Sequence, residues 1–322
     1  MTALWILFWT IFVTVSALDL FVITHRHGPV GLGPALRWTA LWVALAFGYA
    51  AAIAALHPGG RETAMLFISG YLTEYSLSVD NLFVFILIFG AMGVGEHAQP
   101  KLIKLGIYLS IALRVVFILF GIALLHRFHW LIYLFGALLV WTAWKMLAAD
   151  EEEQVDPAKN LLHRAARRLF TIHDPGPDSR RLTVRVDGRL RLTPLFLVFL
   201  VIGSTDVLFA LDSIPAIMGI TQDPFVVLTS NIFAVLGLNS LFFALRGVMG
   251  LFKFLKHGVS VILLFIGAKM IAGIYAPVEE WFKHHAFVSL LVIGLVLLVS
   301  IILSVWHARA FPASAPERHE NS

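Results

Sequence analysis

The sequence predicts an all-α polytopic membrane protein, and three observations carry that expectation. Of 322 residues, 59% are hydrophobic and only 14% are charged, with a mean hydropathy of +0.85, an apolar excess too large for one soluble core to hide. These residues gather into nine runs of about 20, the length a helix needs to cross the hydrocarbon layer. Two of the runs carry spaced acid pairs, Glu74-x5-Asp80-Asn81 and Asp206-x5-Asp212-Ser213. Each carboxylate placed in lipid costs roughly 2.5–3.5 kcal/mol on insertion scales, so partners, water or a bound cation must offset it.

Taken in order, segment 1 (3–24) lacks a basic start and a small-residue cleavage site, and its apolar run is too long for a signal peptide, so it is expected to remain as a span. Asp19 lies near its inner end, where it either reaches water or belongs to a pathway. Segment 2 spans 35–56. Segment 3 (64–90) carries Glu74, Asp80 and Asn81, with Ser76 and Ser78 as further oxygens. Segment 4 (101–125) contains Arg114, which reads either as a structural counter-charge or as a moving part of a transport cycle. Segment 5 (130–148) ends in Trp144-Lys145-Met146. Together, residues 1–148 form the first membrane unit.

The connection 149–193 begins with the acidic run Asp150-Glu151-Glu152-Glu153, turns basic through Arg164, Arg167 and Arg168, and closes with alternating residues around Asp187-Gly188. Alternation about Asp-Gly is the strongest short hairpin signal, so a cytoplasmic β-hairpin is predicted there. Its arginines suit anionic headgroups. The second membrane unit, 194–308, holds segment 6 (194–219) with Asp206, Asp212 and Pro215, segment 7 (224–246) with Asn231 and Arg246, segment 8 (258–275) with Ala268-Lys269-Met270, and segment 9 (286–308). The polar stretch 309–322 is expected to be a disordered cytoplasmic tail. With the N-terminus outside, 17 Lys and Arg fall on the cytoplasmic side and only Arg61, Arg127 and Lys283 on the other, which predicts N-out and C-in. The net charge of +4 reflects these loops. No basic stripe interleaved with aromatics suggests a nucleic-acid partner.

Segments 3–5 resemble segments 6–8: each unit opens with an acid-x5-Asp motif and closes with Lys-Met. Because segments 3 and 6 run in opposite directions, the expected architecture is an inverted 3+3 repeat, a plan that places a site near the bilayer midplane. A rise of 1.5 Å per residue stacks Glu74 beside Asp212 and Asp80 beside Asp206. Residues six apart on a regular helix differ by about 240°, so both acids of one motif face one point only if the helix unwinds. Pro215 predicts such unwinding in segment 6, since it removes a donor and frees the Leu211 carbonyl. If segment 3 stays straight, one of its acids belongs to the pathway instead.

The sequence has no cysteine, which removes thiolate metal sites and disulfides. Carboxylate, amide, hydroxyl and carbonyl oxygens suit Mn²⁺, Mg²⁺ or Ca²⁺, among which oxygen chemistry alone does not choose. Three function classes therefore compete: transport of a hard divalent cation, a structural or complex-forming membrane protein, and an intramembrane aspartyl protease. The usual Tyr-Asp and Gly-x-Gly-Asp contexts of the protease are absent, because Asp80 follows Ser-Val and Asp212 follows Ala-Leu. No enzyme and no bound cofactor is expected. The partners foreseen are the lipid bilayer and a divalent cation.

The runs Gly70-Tyr-Leu-Thr-Glu74-Tyr-Ser-Leu-Ser-Val-Asp80-Asn81, Asp206-Val-Leu-Phe-Ala-Leu-Asp212-Ser-Ile-Pro-Ala216 and Thr229-Ser-Asn231-Ile-Phe-Ala-Val-Leu-Gly-Leu238 resemble those of the TerC family across almost the whole chain. The resemblance implies a multi-spanning bacterial inner-membrane protein that exports manganese, with links to tellurium resistance. It places Glu74, Asp80, Asn81, Asp206 and Asp212 on the family's acidic motif positions. Two departures stand out: Gly203 and Asn239 occupy positions where the family usually has a glutamate and an arginine. Losing both is charge-neutral, and Arg246, two turns beyond Asn239, is the expected substitute base.

Overall fold

The computed structural model describes residues 1–24, 31–148, 164, 168, 172–173, 181–186, 188–246 and 254–310. The acidic run at 150–153 and the tail at 311–322 lie outside these residues. Helices α1 (Thr2–Thr24), α2 (Leu32–Leu56), α3 (Gly60–Ala91), α4 (Gln99–Arg127) and α5 (Leu131–Ala148) precede a two-stranded hairpin of β1 (Thr183–Val186) and β2 (Arg189–Leu192). Then come α6 (Pro194–Ile220), α7 (Pro224–Leu236), α8 (Leu238–Arg246), α9 (Leu255–Ala272), α10 (Ala276–His284) and α11 (Ala286–Ala310). Seven of these helices are long and apolar enough to cross a membrane, and there are eight if α7 and α8, joined at a 41° bend, count as one span. The chain is thus a polytopic, mostly helical membrane protein. In α1 the described apolar stretch, Thr2–Ala17, is shorter than a span.

Local sequence sets the boundaries. The hairpin forms where Asp-Gly predicted it: the antiparallel register pairs Val186 with Arg189 and Thr183 with Leu192. The two-residue connection requires a positive φ, which Gly188 supplies at 74°. Helices α6 and α7 start with proline in the first turn, where its missing N–H leaves no bond unmade. Asp223 caps α7, its carboxylate accepting from the Phe225 N–H at 2.9 Å.

The expectation that segment 6 breaks is corrected. Segment 6 does not unwind at Pro215: α6 runs unbroken from Pro194 to Ile220, with Ile214, Ala216 and Ile217 buried around the proline. Packing on both sides of the ring outweighs the one lost hydrogen bond. Segment 3 is likewise one helix of 32 residues. The break falls in segment 7 at Gly237, where a side chain would press on Trp42, 3.3 Å from its Cβ.

Helix α3 is the centre of the assembly. Within its most apolar window, 59% of residues are buried, more than in any other unbroken span, and it packs against α2, α6, α7, α9 and α11. The most extensive pairing joins α5 to α9. There the backbones meet at Gly136 and Gly267: a Cβ on Gly267 would sit 2.7 Å from the Gly136 carbonyl oxygen. Only small residues allow this approach, and such contacts drive helix association in lipid. Large apolar side chains such as Trp9, Phe120, Trp144, Leu298 and Trp306 remain on the outside, a surface that hydrocarbon covers at no cost.

Candidate functional site

Arg114 is the pivot of the buried polar cluster. It projects from α4 and is 1% exposed, and its guanidinium reaches three other helices. Nη1 makes a salt bridge to Glu74 Oε1 on α3. The same nitrogen donates to Ser213 Oγ on α6 at 3.3 Å and, weakly, to Asn231 Oδ1 on α7 at 3.5 Å. Nε donates to Ser110 Oγ, one turn earlier on α4, at 3.0 Å. A buried guanidinium is held only where its donors find oxygens, and its planar fork suits several at once.

Glu74 is equally buried and nearly saturated. Ser78 donates to Oε1 at 3.0 Å from the next turn of α3, and Asn231 Nδ2 donates to Oε2 at 2.8 Å. Asn231 therefore acts as a bonded member of the cluster, and Ser213 joins it through Arg114.

Asp206 lies two turns before Ser213 on α6 and is 4% exposed. Arg114 and Ser110 both lie near enough to act on its carboxyl group, yet its Oδ2 has no hydrogen-bond partner. An orphaned buried carboxylate oxygen is costly. Glu74, Arg114 and Ser110 are thus bonded in a line that ends beside Asp206 on α6.

Asp212 is turned elsewhere. It is half-buried, accepts from Thr142 Oγ1 on α5 at 2.8 Å, and feels Lys145 as a charge neighbour. The expected pairing of Glu74 with Asp212 is replaced: Glu74 shares Arg114 with Asp206. The cause is helical periodicity, because an unbroken α6 separates Asp206 and Asp212 by about 240° and sends them to the α4 and α5 interfaces respectively. Asn81 is buried on α3. The side chains of Asp80 and Asp19 lie outside the described residues, although both positions are helical. Among the described residues, no three His, Asp or Glu side chains come together as a ready-made metal cage.

Arg246 does not stand in for the missing base beside Asn239. It ion-pairs with Glu96 and donates to Gln99 Oε1 at 3.1 Å, tying the end of α8 to the α3–α4 connection. Gly203 packs on α4, where a Cβ would lie 2.7 Å from Leu109, and Asn239 borders a cavity of about 20 Å³ with Ser16, Lys104 and Tyr108. Ser110 and Thr142 were not singled out from sequence. Their signal is spacing: Ser110 is four residues from Arg114 and Thr142 three from Lys145, positions that share a helix face.

Two clefts lie at opposite ends of α3. One, of about 460 Å³, is bordered by Glu62 and Leu66 at the start of α3, Met218 near the end of α6, and Lys269 and Met270 on α9. The other, of about 340 Å³, is bordered by Ile86, Phe89 and Gly90 near the end of α3, with Gln99 and Arg246. Neither is lined by a cluster residue. Along α3, Leu66 and Ile86 are about 12 and 18 Å from Glu74.

The sequence profile described as the integral membrane protein TerC family matches residues 59–311. The chain is 42% identical over 311 residues to the membrane protein STKORF319 of Myxococcus xanthus, covering 97% of this chain and 94% of that one. It is 36% identical over 313 residues to an Escherichia coli K12 protein named membrane-bound redox modulator Alx, covering 94% of each. Similarity extends to the chloroplastic thylakoid membrane protein TERC of Arabidopsis thaliana, at 38% over 246 residues, 76% of this chain and 62% of the relative. No solved structure matches the chain.

Proposed function

Since the chain belongs to the TerC family of integral membrane proteins, we propose that it transports a hard divalent cation, Mn²⁺ foremost, out of the cell across the bacterial inner membrane by alternating access. The observation that carries this reading is a buried cluster of oxygen ligands around the Arg114 guanidinium, assembled by α3, α4, α6 and α7 and lying between clefts at opposite ends of α3. Glu74, Asp206, Ser213 and Asn231 supply carboxylate, hydroxyl and amide oxygens there, which suit Mn²⁺, Mg²⁺ or Ca²⁺ and not a soft metal. Asp80 and Asn81 on α3 and Asp212 on α6 complete the proposed pathway.

The proposed topology has nine spans, N-out and C-in, with α3–α5 and α6–α9 as inverted repeats. The packing supports it: α3 meets α7 as α6 meets α4, and α3 meets α9 as α6 meets α5. Rocking one repeat against the other would open the closed cluster to each cleft in turn. Metal entry onto carboxylates releases protons, so proton counter-movement is the coupling this chemistry offers. The sequence has no cysteine, so a redox effect like the one named for the Alx relatives would be indirect, through the cation moved.

A second reading, a structural or complex-forming role in metal or tellurite stress with no transport, draws on the saturation of Glu74 by Arg114, Ser78 and Asn231, which is also how a purely structural ion pair looks. Proteoliposomes decide between them. Wild type is expected to move Mn²⁺, and Asp206→Asn in the cluster and Asp212→Asn in the pathway to move it at least tenfold more slowly. Equal flux in all three rejects the site, and repeating the assay with Ca²⁺ and Mg²⁺ identifies the cargo.

A further inference from the structure

We infer that Arg114 is the resident cation of the transport site: its guanidinium occupies the place of the divalent ion against Glu74 and must pass to Asp206 before the ion is held. The inference rests on the transport reading above and assigns Arg114 the role of a tethered competitor for the cargo.

Three observations carry it. The Glu74 carboxylate is nearly full, with Arg114 and Ser78 on Oε1 and Asn231 on Oε2, so an incoming cation finds one open lone pair, on Oε2, and gains the whole carboxylate only if a donor leaves. Of the three, only Arg114 carries positive charge, and like-charge repulsion in a water-poor interior makes it the one a metal ion displaces. A destination for the charge also exists inside the protein. Asp206 is buried on α6 with its Oδ2 unpartnered, lies within reach of the Arg114 charge, and neighbours Ser110, which accepts from Arg114 Nε.

The geometry defines the exchange. In the present arrangement the terminal nitrogen Nη1 faces Glu74, Ser213 and Asn231, whereas Nε faces Ser110 and therefore Asp206. Rotation of the side chain about the Ser110 bond would withdraw Nη1 from Glu74 and bring the guanidinium onto Asp206 Oδ2. Glu74, Ser213 Oγ and Asn231 Oδ1 would then turn their oxygens to the ion. With no ion present, the guanidinium returns to Glu74, so the empty protein crosses its closed state with Glu74 neutralised. An arginine is suited to this, because it keeps its charge at every step.

The test measures Mn²⁺ affinity by calorimetry on purified protein and Mn²⁺ flux in proteoliposomes, for wild type and Arg114→Ala. Removing the competitor should tighten Mn²⁺ binding at least tenfold while flux falls at least tenfold, because the emptied site no longer neutralises itself. Millimolar guanidinium should weaken Mn²⁺ binding to Arg114→Ala by occupying the vacated place, and leave wild-type affinity unchanged. Unchanged or weaker Mn²⁺ binding by Arg114→Ala, or no guanidinium competition, overturns the inference while wild-type flux keeps the transport reading intact. Absence of wild-type binding and flux overturns the transport reading itself. If Arg114→Ala does not fold, Arg114→Lys carries the test: the shorter point charge, without the Nε bond to Ser110, should bind Mn²⁺ at least threefold more tightly, and equal or weaker binding overturns the inference.

Discussion

Glu74→Gln removes one negative charge from a place where a buried positive charge depends on it. Arg114 is 1% exposed and Glu74 is its ion-pair partner; with the carboxylate replaced by an amide, the guanidinium has Ser110, Ser213, Asn231 and the new amide oxygen as neutral acceptors. Breaking a buried pair from one side costs about 3–5 kcal/mol, since the remaining charge stays desolvated. The Asn231 bond loses its charged acceptor as well, worth roughly 1 kcal/mol. Replacing both partners, as in Glu74→Gln with Arg114→Met, leaves no buried charge at this pair and should recover most of that loss. Thermal unfolding in detergent, followed through the nine tryptophans, provides the assay. Glu74→Gln should unfold well below wild type and the double variant between the two, with a coupling of at least about 2 kcal/mol. If instead the losses from the two single substitutions simply add, within about 0.5 kcal/mol, the pair is not an energetic unit and the reasoning fails.

Thr142→Val removes the hydroxyl that donates to Asp212 and is expected to cost about 1.5–3 kcal/mol, the range for a hydrogen bond to a charged group; the same unfolding assay measures it. Gly267→Val places a Cβ 2.7 Å from the Gly136 carbonyl oxygen, so α5 and α9 must separate and the yield of monodisperse protein should collapse. Gly294→Val, with nothing within 4 Å of the added carbon, is the control that should leave the yield unchanged. Arg246→Ala breaks a pair whose side chains are 32% and 58% exposed, so its cost should stay below about 1 kcal/mol and shrink further in high salt. A larger, salt-insensitive loss would show that Arg246 serves the central cluster.

Much of the architecture was readable without coordinates, for reasons that particular residues make plain. Apolar run length marked the membrane helices, since twenty apolar residues satisfy both the bilayer thickness and the backbone's own hydrogen bonds. Asp187-Gly188 marked the hairpin, because a two-residue turn needs a positive φ that glycine adopts freely. The cluster was partly legible: Glu74, Asp206, Ser213, Asn231 and Arg114 were all named because polar groups in lipid are expensive. What they would do to one another was not. Pro215 looked like a helix break, and the real bend lies at Gly237, because a local signal was overruled by packing around Ile214 and Ala216.

By itself, the sequence determined which residues must be compensated: each ionisable side chain within an apolar run carries a desolvation cost fixed by its chemistry, wherever its neighbours fall. The partner for each was decided by the tertiary structure. Glu74 and Arg114 are 40 residues apart, and Glu74 and Asn231 are 157 apart, so only helix rotation and crossing bring them within bonding distance. The same rotation sent Asp206 toward Arg114 and Asp212 toward Thr142, because an unbroken helix cannot point residues six apart in one direction.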